Sequence, residues 1–334
     1  MNRIASATLT LLASTALLAQ DAKHIEWIAD FDVAVAAAKK ANKDLLVDFT
    51  GSDWCGWCIR LHKEVFDHPE FQAGVEKHFV MVALDFPRAE EIKAKVPNPE
   101  RNKELQNKYG VRGFPTILLM TADGEVYGRT GYQKGGPVPY VESLDKMRIE
   151  GKKNLAEIKD LVGKFEVAQG VSRTAVVGMA IEKLAGMSGD AVGIAQLATI
   201  AKVALQSEDL AVQEKAVTAL LKTGQGDAAC NAKALELDPD NKKGLFEITV
   251  QAAMQSVTDD ASAKAFLKAL DGLVEKGAKD AGLLESMLVN ATRWTSGPLK
   301  DEAASKKYGK LLKEHAKDPA KHAKLLDKVL GEDK

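Results

Sequence analysis

Apolar positions in the first half of the chain follow two different periods. "DLLVDF", Asp44 to Phe49, is a short apolar run bounded by polar residues, the pattern of a buried central strand. "HFVMVALDF", His78 to Phe86, is a second β-rich run. "FPTILLMTADGEVYGRTGY" holds two more strands joined at Asp123-Gly124, a pair favoured in tight hairpin turns. Between these runs the period lengthens. Asp30 to Ala41 predicts a helix with an acidic start, an alanine-rich middle, and Lys39 and Lys40 at the end that the helix dipole favours for cations. "CIRLHKEVF" follows the first strand with Leu61, Val65 and Phe66 at helical spacing. "GGPVPYVESLDKMR" opens on turn residues and continues as a helix with Pro139 in its first turn.

Past about residue 152 strand-like runs almost vanish. Alanine, lysine and leucine dominate, and "AVVGMAIEKLAG", "AQLATIAKVALQ", "AVQEKAVTALLK" and "AKAFLKALDGLVEKG" all carry helical periodicity. Short helices at roughly regular spacing predict stacked helix pairs. The stretch "NAKALELDPDN", Asn231 to Asn241, resembles the junction between two tetratricopeptide repeats. That resemblance implies an α-helical repeat scaffold able to bind a protein partner, and it assigns no residues. A plain helical bundle is the alternative.

With 334 residues, the chain has room for two domains of the usual size. Its balance of 46% hydrophobic and 28% charged residues is that of an ordinary globular protein. The formal net charge of -1 argues against a nucleic-acid partner. No apolar run after the N-terminus is long enough to cross a bilayer. The N-terminus itself has Arg3, then no charge until Asp21, with an apolar stretch from Ala7 to Leu18 and small residues at Ala16 and Ala19. This is the layout of a secretory signal cleaved after Ala19, with a native helix as the alternative. The expected organisation is therefore a signal over residues 1–19, an α/β domain over 20–152 and an all-α domain over 153–334. The mature chain is expected to be exported, to a periplasmic or other extracytoplasmic compartment where disulfides can form.

Candidate chemistry centres on "DWCGWC". Cys55 and Cys58 stand where a strand hands over to a helix. Cys55 in the first turn of that helix would have its thiolate stabilised by free N–H groups, and the i, i+3 spacing keeps Cys58 within reach of the same sulfur. Cys55 can then attack a disulfide and Cys58 can resolve the mixed disulfide. Gly56 leaves room for an incoming chain. A chain of this size needs no disulfide staples, so the pair reads as redox-active rather than structural.

"LLVDFTGSDWCGWC" followed by "YGVRGFPTILLMTADGEVYGRTGY" resembles the thioredoxin family over about residues 24–150. The resemblance implies a central mixed sheet flanked by helices, and a cis peptide before Pro115 beside the thiols. It implies Cys55 as nucleophile, Cys58 as resolving thiol, and Phe114-Pro115-Thr116 as a loop presenting backbone to an extended substrate. Trp54 is the flanking aromatic, and Gly56 and Trp57 complete the substrate-binding set. Asp48, in its "VDF" context, matches a buried acid that aids proton transfer to the resolving thiol. A hydrogen-bonded strand-end carboxylate is the alternative. Departures are the "TGSD" loop, one residue longer than in typical thioredoxins, Gly56-Trp57 where Gly-Pro is common, and Pro87 to Asn102, which reads as a charged surface insertion.

The implied activity is thiol–disulfide exchange with cysteine-containing protein substrates, in either redox direction, with no cofactor. A non-catalytic interaction module on the same platform is the alternative. A zinc site from Cys55, Cys58, His62 and His68 is a further alternative, as is a purely structural disulfide. A haem site is excluded, because Ile59 follows the second cysteine. Cys230 lies among alanines and reads as a small buried hydrophobe. His315 and His322, in the lysine-rich tail, are expected to face solvent.

Overall fold

The computed structural model describes residues 26–331; the segment read as an export signal lies outside them. The chain divides into two compact units between Ile149 and Glu150. In the first, α1 (Phe31–Ala41), β1 (Asp44–Thr50), α2 (Gly56–Leu61), α3 (Pro69–Val75), β2 (Phe79–Asp85), α4 (Glu90–Lys93), α5 (Pro99–Lys108), β3 (Thr116–Met120) and β4 (Val126–Thr130) follow in order. Helix α6 (Pro137–Val167) then runs through the unit boundary, so the compositional change near residue 152 falls inside a continuous helix.

The four strands form one sheet in the order β2-β1-β3-β4. β1 pairs parallel with β2 and antiparallel with β3, and β3 pairs antiparallel with β4. Every residue of β1 is buried, Asp48 among them, as expected of a largely apolar strand covered on both faces. Alternation along β1 sends Leu45, Val47 and Phe49 to one face, where they pack with Phe31, Ala34 and Ala38 of α1 and Leu105 of α5. Leu46 and Asp48 take the other. There Phe66, in the turn that follows α2, Phe71 of α3 and Tyr140 of α6 come together as a ring cluster.

Helix α1 starts where the sequence places it, because the Asp30 carboxylate accepts from the N–H groups of Asp32 and Val33. The β3–β4 hairpin differs from a two-residue turn at Asp123-Gly124. Gly124 donates to the Thr121 carbonyl and has φ +78°, so the connection spans Ala122 to Gly124 with glycine in the left-handed position. The helix after the thiols also departs from regular spacing. His62–Phe66 form a π turn, with the Asp67 N–H reaching back five residues to the His62 carbonyl. The widened turn buries Val65 and Phe66 on adjacent positions.

The second unit contains α7 (Gly170–Ala185), α8 (Ile194–Lys202), α9 (Leu210–Lys222), α10 (Ala228–Leu237), α11 (Leu245–Gln255), α12 (Asp260–Lys276), α13 (Ala281–Ser296), α14 (Glu302–His315) and α15 (Ala323–Leu330). Its sequence punctuation is capping: Asp209, Asp227, Asp259, Asp280 and Asp301 each accept N–H groups at the start of the helix they precede. From α7 to α13 each odd-numbered helix packs on its successor in sequence and on the next odd-numbered helix. Two apolar clusters result, one around Leu184, Leu197 and Leu220, the other around Phe266, Met287 and Leu312.

The "DPDN" stretch is a polar knot. Asp238 accepts from the N–H groups of Lys243 and Leu245, and Asn241 holds the Glu247 N–H and the Gly277 carbonyl. The Glu247 carboxylate accepts from the N–H groups of Lys279 and Asp280. Cys230 is fully buried, and burial pushes its thiol pKa up to about 11. His315 is exposed, but His322 corrects the expectation. Its Nε2 lies 2.7 Å from Glu285 Oε1 and its side chain is largely covered. Glu285 also accepts the Lys317 N–H, which draws the tail onto α13.

Candidate functional site

The thiols stand at the C-terminal edge of β1. The loop leaving β1 is braced by two carboxylates. Asp85, the last residue of β2, accepts from the Ser52 N–H at 2.9 Å and the Ser52 hydroxyl at 2.5 Å. Asp53 accepts from the N–H groups of Arg88 and Ala89. The Ala89 N–H above all holds the Asp53 carboxyl below its usual range; desolvation opposes it, and the Arg88 N–H adds to the lowering. The longer "TGSD" loop is therefore tied down at Ser52 and Asp53.

Cys55 caps α2 and is joined to Cys58 in a disulfide with a Cα–Cα separation of 5.2 Å. Its Sγ accepts the Cys58 N–H at 3.2 Å. Cys55 is 6% exposed and Cys58 1%, so both are buried and Cys55 is the less enclosed of the two. An ideal Cβ at Gly56 would meet nothing within 4 Å, so the space beside the pair is open.

Trp54 and Trp57, next to the cysteines in the chain, each belong to an aromatic group. The Trp54 indole N–H donates to the Phe86 carbonyl at 2.8 Å, with the Arg88 guanidinium 4.1 Å from its ring centroid and Phe114 edge-on at 5.9 Å. Trp57, 55% exposed, lies 5.0 Å from Tyr132 with Arg60 over both rings. Glu64 closes this second group, accepting from the Tyr132 hydroxyl at 2.6 Å and Arg60 Nε at 2.7 Å. These two bonds, Tyr132 foremost, hold the Glu64 carboxyl below its usual range.

Thr116 pairs with Phe49, so the loop entering β3 lies at the same sheet edge as the thiols. The Phe114–Pro115 peptide is cis. The Thr116 hydroxyl is used within the loop, donating to the Gly113 carbonyl at 2.8 Å.

Asp48 is buried in mid-strand rather than at a strand end, and its Oδ2 lies 3.0 Å from His62 Nε2. Burial raises the Asp48 pKa above the ordinary carboxylate range, and the His62 hydrogen bond opposes this only in part. His62 and His68 do not gather with the thiols, since His62 turns to Asp48 and His68 Nε2 sits 3.0 Å from the Lys63 carbonyl. Sequence reasoning missed Arg88, because Pro87 to Asn102 reads as a surface insertion. In the structure only its ends, Pro87 and Asn102, are buried; most of the stretch between them is exposed, as expected, and it includes α4 and the start of α5. It also missed the Arg60–Glu64 bridge, for which the i, i+4 spacing was an available signal.

Residues 31–136 match the thioredoxin-like domain family. A relative, the disulfide bond reductase DsbH of Chlamydia pneumoniae, is 34% identical over 125 residues, covering 37% of this chain and 72% of that protein. The chain belongs to the thioredoxin-like family. The thioredoxin-related protein DsbJ of the same organism is 30% identical over 139 residues, 38% of each chain. A solved DsbH oxidoreductase aligns at a TM-score of 0.35 and 30% identity, over 42% of this chain and 94% of that one. With Cys55 and Cys58 paired at the head of α2 on this thioredoxin-like domain, the chain is a thiol–disulfide oxidoreductase.

Proposed function

We propose that the chain is an exported reductase of protein disulfides, in which Cys55 attacks and Cys58 resolves. The observation that carries this reading is the Cys55 sulfur, which caps α2, accepts the Cys58 N–H and belongs to the less enclosed residue of the pair. In the reduced state that N–H favours a thiolate on Cys55 over a neutral thiol. The thiolate attacks a substrate disulfide, one substrate sulfur leaves as a thiolate, and Cys58 then displaces the other. Two electrons pass from the cysteine pair to the substrate.

Trp54, Gly56, Trp57 and the Phe114-Pro115-Thr116 loop form the substrate surface in this reading. The open space at Gly56 and the exposed Trp57 support it. Asp48 is the proton acceptor for Cys58, supported by its burial and its place on the sheet face that the Cys58 helix covers. The reductive direction is supported by the likeness to DsbH. Export rests on the charge and apolar pattern of residues 1–19. The helical unit, with its ordered series of helix pairs, holds a protein partner.

The reduction potential of the Cys55–Cys58 pair tests the direction. A value close to that of thioredoxin, about −270 mV, is expected; one near about −120 mV would instead mark a disulfide-forming oxidant. Insulin reduction by the full chain with dithiothreitol as electron source is the matching activity assay.

A further inference from the structure

Asp48 is a carboxylate with half its capacity used. Its Oδ2 meets His62 Nε2, while its Oδ1 has no hydrogen-bond partner among the described residues, and the side chain is 1% exposed. A buried acid that exchanges a proton in every catalytic cycle needs a route to water, and its own surface offers none.

His62 supplies the contact. Its N–H donates to the Cys58 carbonyl, so it stands one helical turn beyond the resolving thiol and opens the π turn. Such turns recur at functional sites because they redirect a side chain. The imidazole packs against the rings of Trp27, at 5.6 Å, and Phe66, at 5.0 Å, which also touch each other. Its Nε2 faces the core and its Nδ1 faces Asp67, 3.9 Å away, with 32% of the side chain exposed. One ring nitrogen thus touches the buried acid while part of the ring reaches water.

The other titratable groups near the pair are engaged elsewhere. Asp85 is held by Ser52, and the Tyr140 hydroxyl donates to the Gly131 carbonyl. Burial first of all keeps the Tyr140 pKa far above the neutral range. Asp67 is an exposed carboxylate on the solvent side of the ring.

We propose that His62 is the proton conduit of Asp48, passing protons between water and the buried carboxylate that serves Cys58. This rests on the reading of Cys58 as the resolving thiol. In the resolving step the Cys58 thiol gives its proton to Asp48. The thiolate bonds to Cys55 Sγ as the Cys55–substrate bond breaks, and the electron pair leaves on the substrate sulfur. The proton on Asp48 passes to His62 Nε2, and one leaves from Nδ1 toward Asp67 and water. Re-reduction of the pair brings a proton back along the same path. His62 acts through Asp48 and is a positioning residue, not one that touches the reacting sulfurs.

The electrostatics agree with the geometry. Burial lifts the Asp48 pKa. Burial opposes a charge on His62, but the hydrogen bond and charge of Asp48, with Asp67 and Asp85 behind, more than offset it and raise its pKa as well. Both groups hold protons to higher pH than when free, as a pair sharing a proton does.

The test separates the two chemical steps in the full chain. An aryl disulfide reporter that releases a coloured thiolate first on Cys55 attack and again on Cys58 resolution is mixed with the reduced protein by stopped flow. In His62→Gln, which cannot relay a proton, the first release should stay within about twofold of wild type. The second should slow by roughly 100-fold near neutral pH, the order of a lost acid–base contribution, and recover as pH rises. Free imidazole should restore the second step in His62→Ala. A second release in His62→Gln at the wild-type rate across the pH range would overturn the proposal. So would equal slowing of both steps with no imidazole rescue, because that is a structural effect. Absence of the first release in the wild type would instead refute the role of Cys55, and the conduit with it.

Discussion

The Trp54 indole is pinned by the Phe86 carbonyl at 2.8 Å, directly over Gly51, where an ideal Cβ would fall 2.6 Å from the ring. The glycine is required by the close approach of the indole. Gly51→Ala should push Trp54 off Phe86 and away from Arg88 and Phe114. The expected cost is about 1–3 kcal/mol, as for other overpacked sites, read by urea unfolding. A red shift of the tryptophan emission and slower insulin reduction should accompany it. Unchanged stability and emission would mean that the indole is free to move.

The second aromatic group makes a specificity prediction. Tyr132→Phe removes the hydroxyl that Glu64 accepts, leaving Arg60 as its remaining partner in the group. Trp57 should lose its fixed orientation. The rate with insulin should fall through a raised KM, while reaction with a small aryl disulfide should not change. Equal effects on both substrates would place the group outside the substrate surface.

Much of the first unit was legible because each element declared itself locally. Asp44 to Phe49 is a short apolar run broken only by Asp48 after its polar first residue, and Asp30 is a cap followed by an alanine-rich face. The site was legible only as far as its contiguous residues, Trp54 to Cys58 and Phe114 to Thr116. The Asp48–His62 contact joins residues 14 apart and depends on the pleat of β1 meeting a π turn, neither of which periodicity reports. Arg88 was hidden because it does sit in a charged, solvent-facing stretch, and its contact with the thiol loop comes from Asp53, 35 residues back, which holds its backbone. His322 was misplaced for a similar reason, its partner Glu285 lying 37 residues back on another helix.

The Asp48–His62 pair also predicts a pH dependence of stability. Both groups have raised pKa values in the folded chain. The folded state therefore binds more protons than the unfolded one from the ordinary carboxylate range, about 4, up through the raised imidazole value. Stability from this pair is complete below that window and is lost as pH rises across it. The double variant Asp48→Asn/His62→Gln cannot titrate there. Its stability relative to the wild type should improve steadily between about pH 5 and pH 9, measured by urea unfolding of the oxidised proteins. A constant difference across that range would contradict the shifts.

Cys230 should be silent. Its thiol is buried among Val217, Ala234 and neighbouring apolar groups, and burial pushes its pKa up to about 11. At pH 8 the reduced native chain should alkylate rapidly at Cys55, with Cys230 labelled only after unfolding, as peptide mass spectrometry would register. Rapid native labelling of Cys230 would reveal a second reactive thiol.

The division of labour between the two active cysteines is tested most directly by trapping. Cys58→Ser in the full chain, reduced and mixed with oxidised insulin, should accumulate a mixed disulfide that maps to Cys55, stays intact on a non-reducing gel and disappears with dithiothreitol. Cys55→Ser should trap little and reduce no insulin. A wild type that reduces insulin while Cys58→Ser forms no adduct, or forms one at Cys230, would contradict the assignment of Cys55 as the attacking thiol.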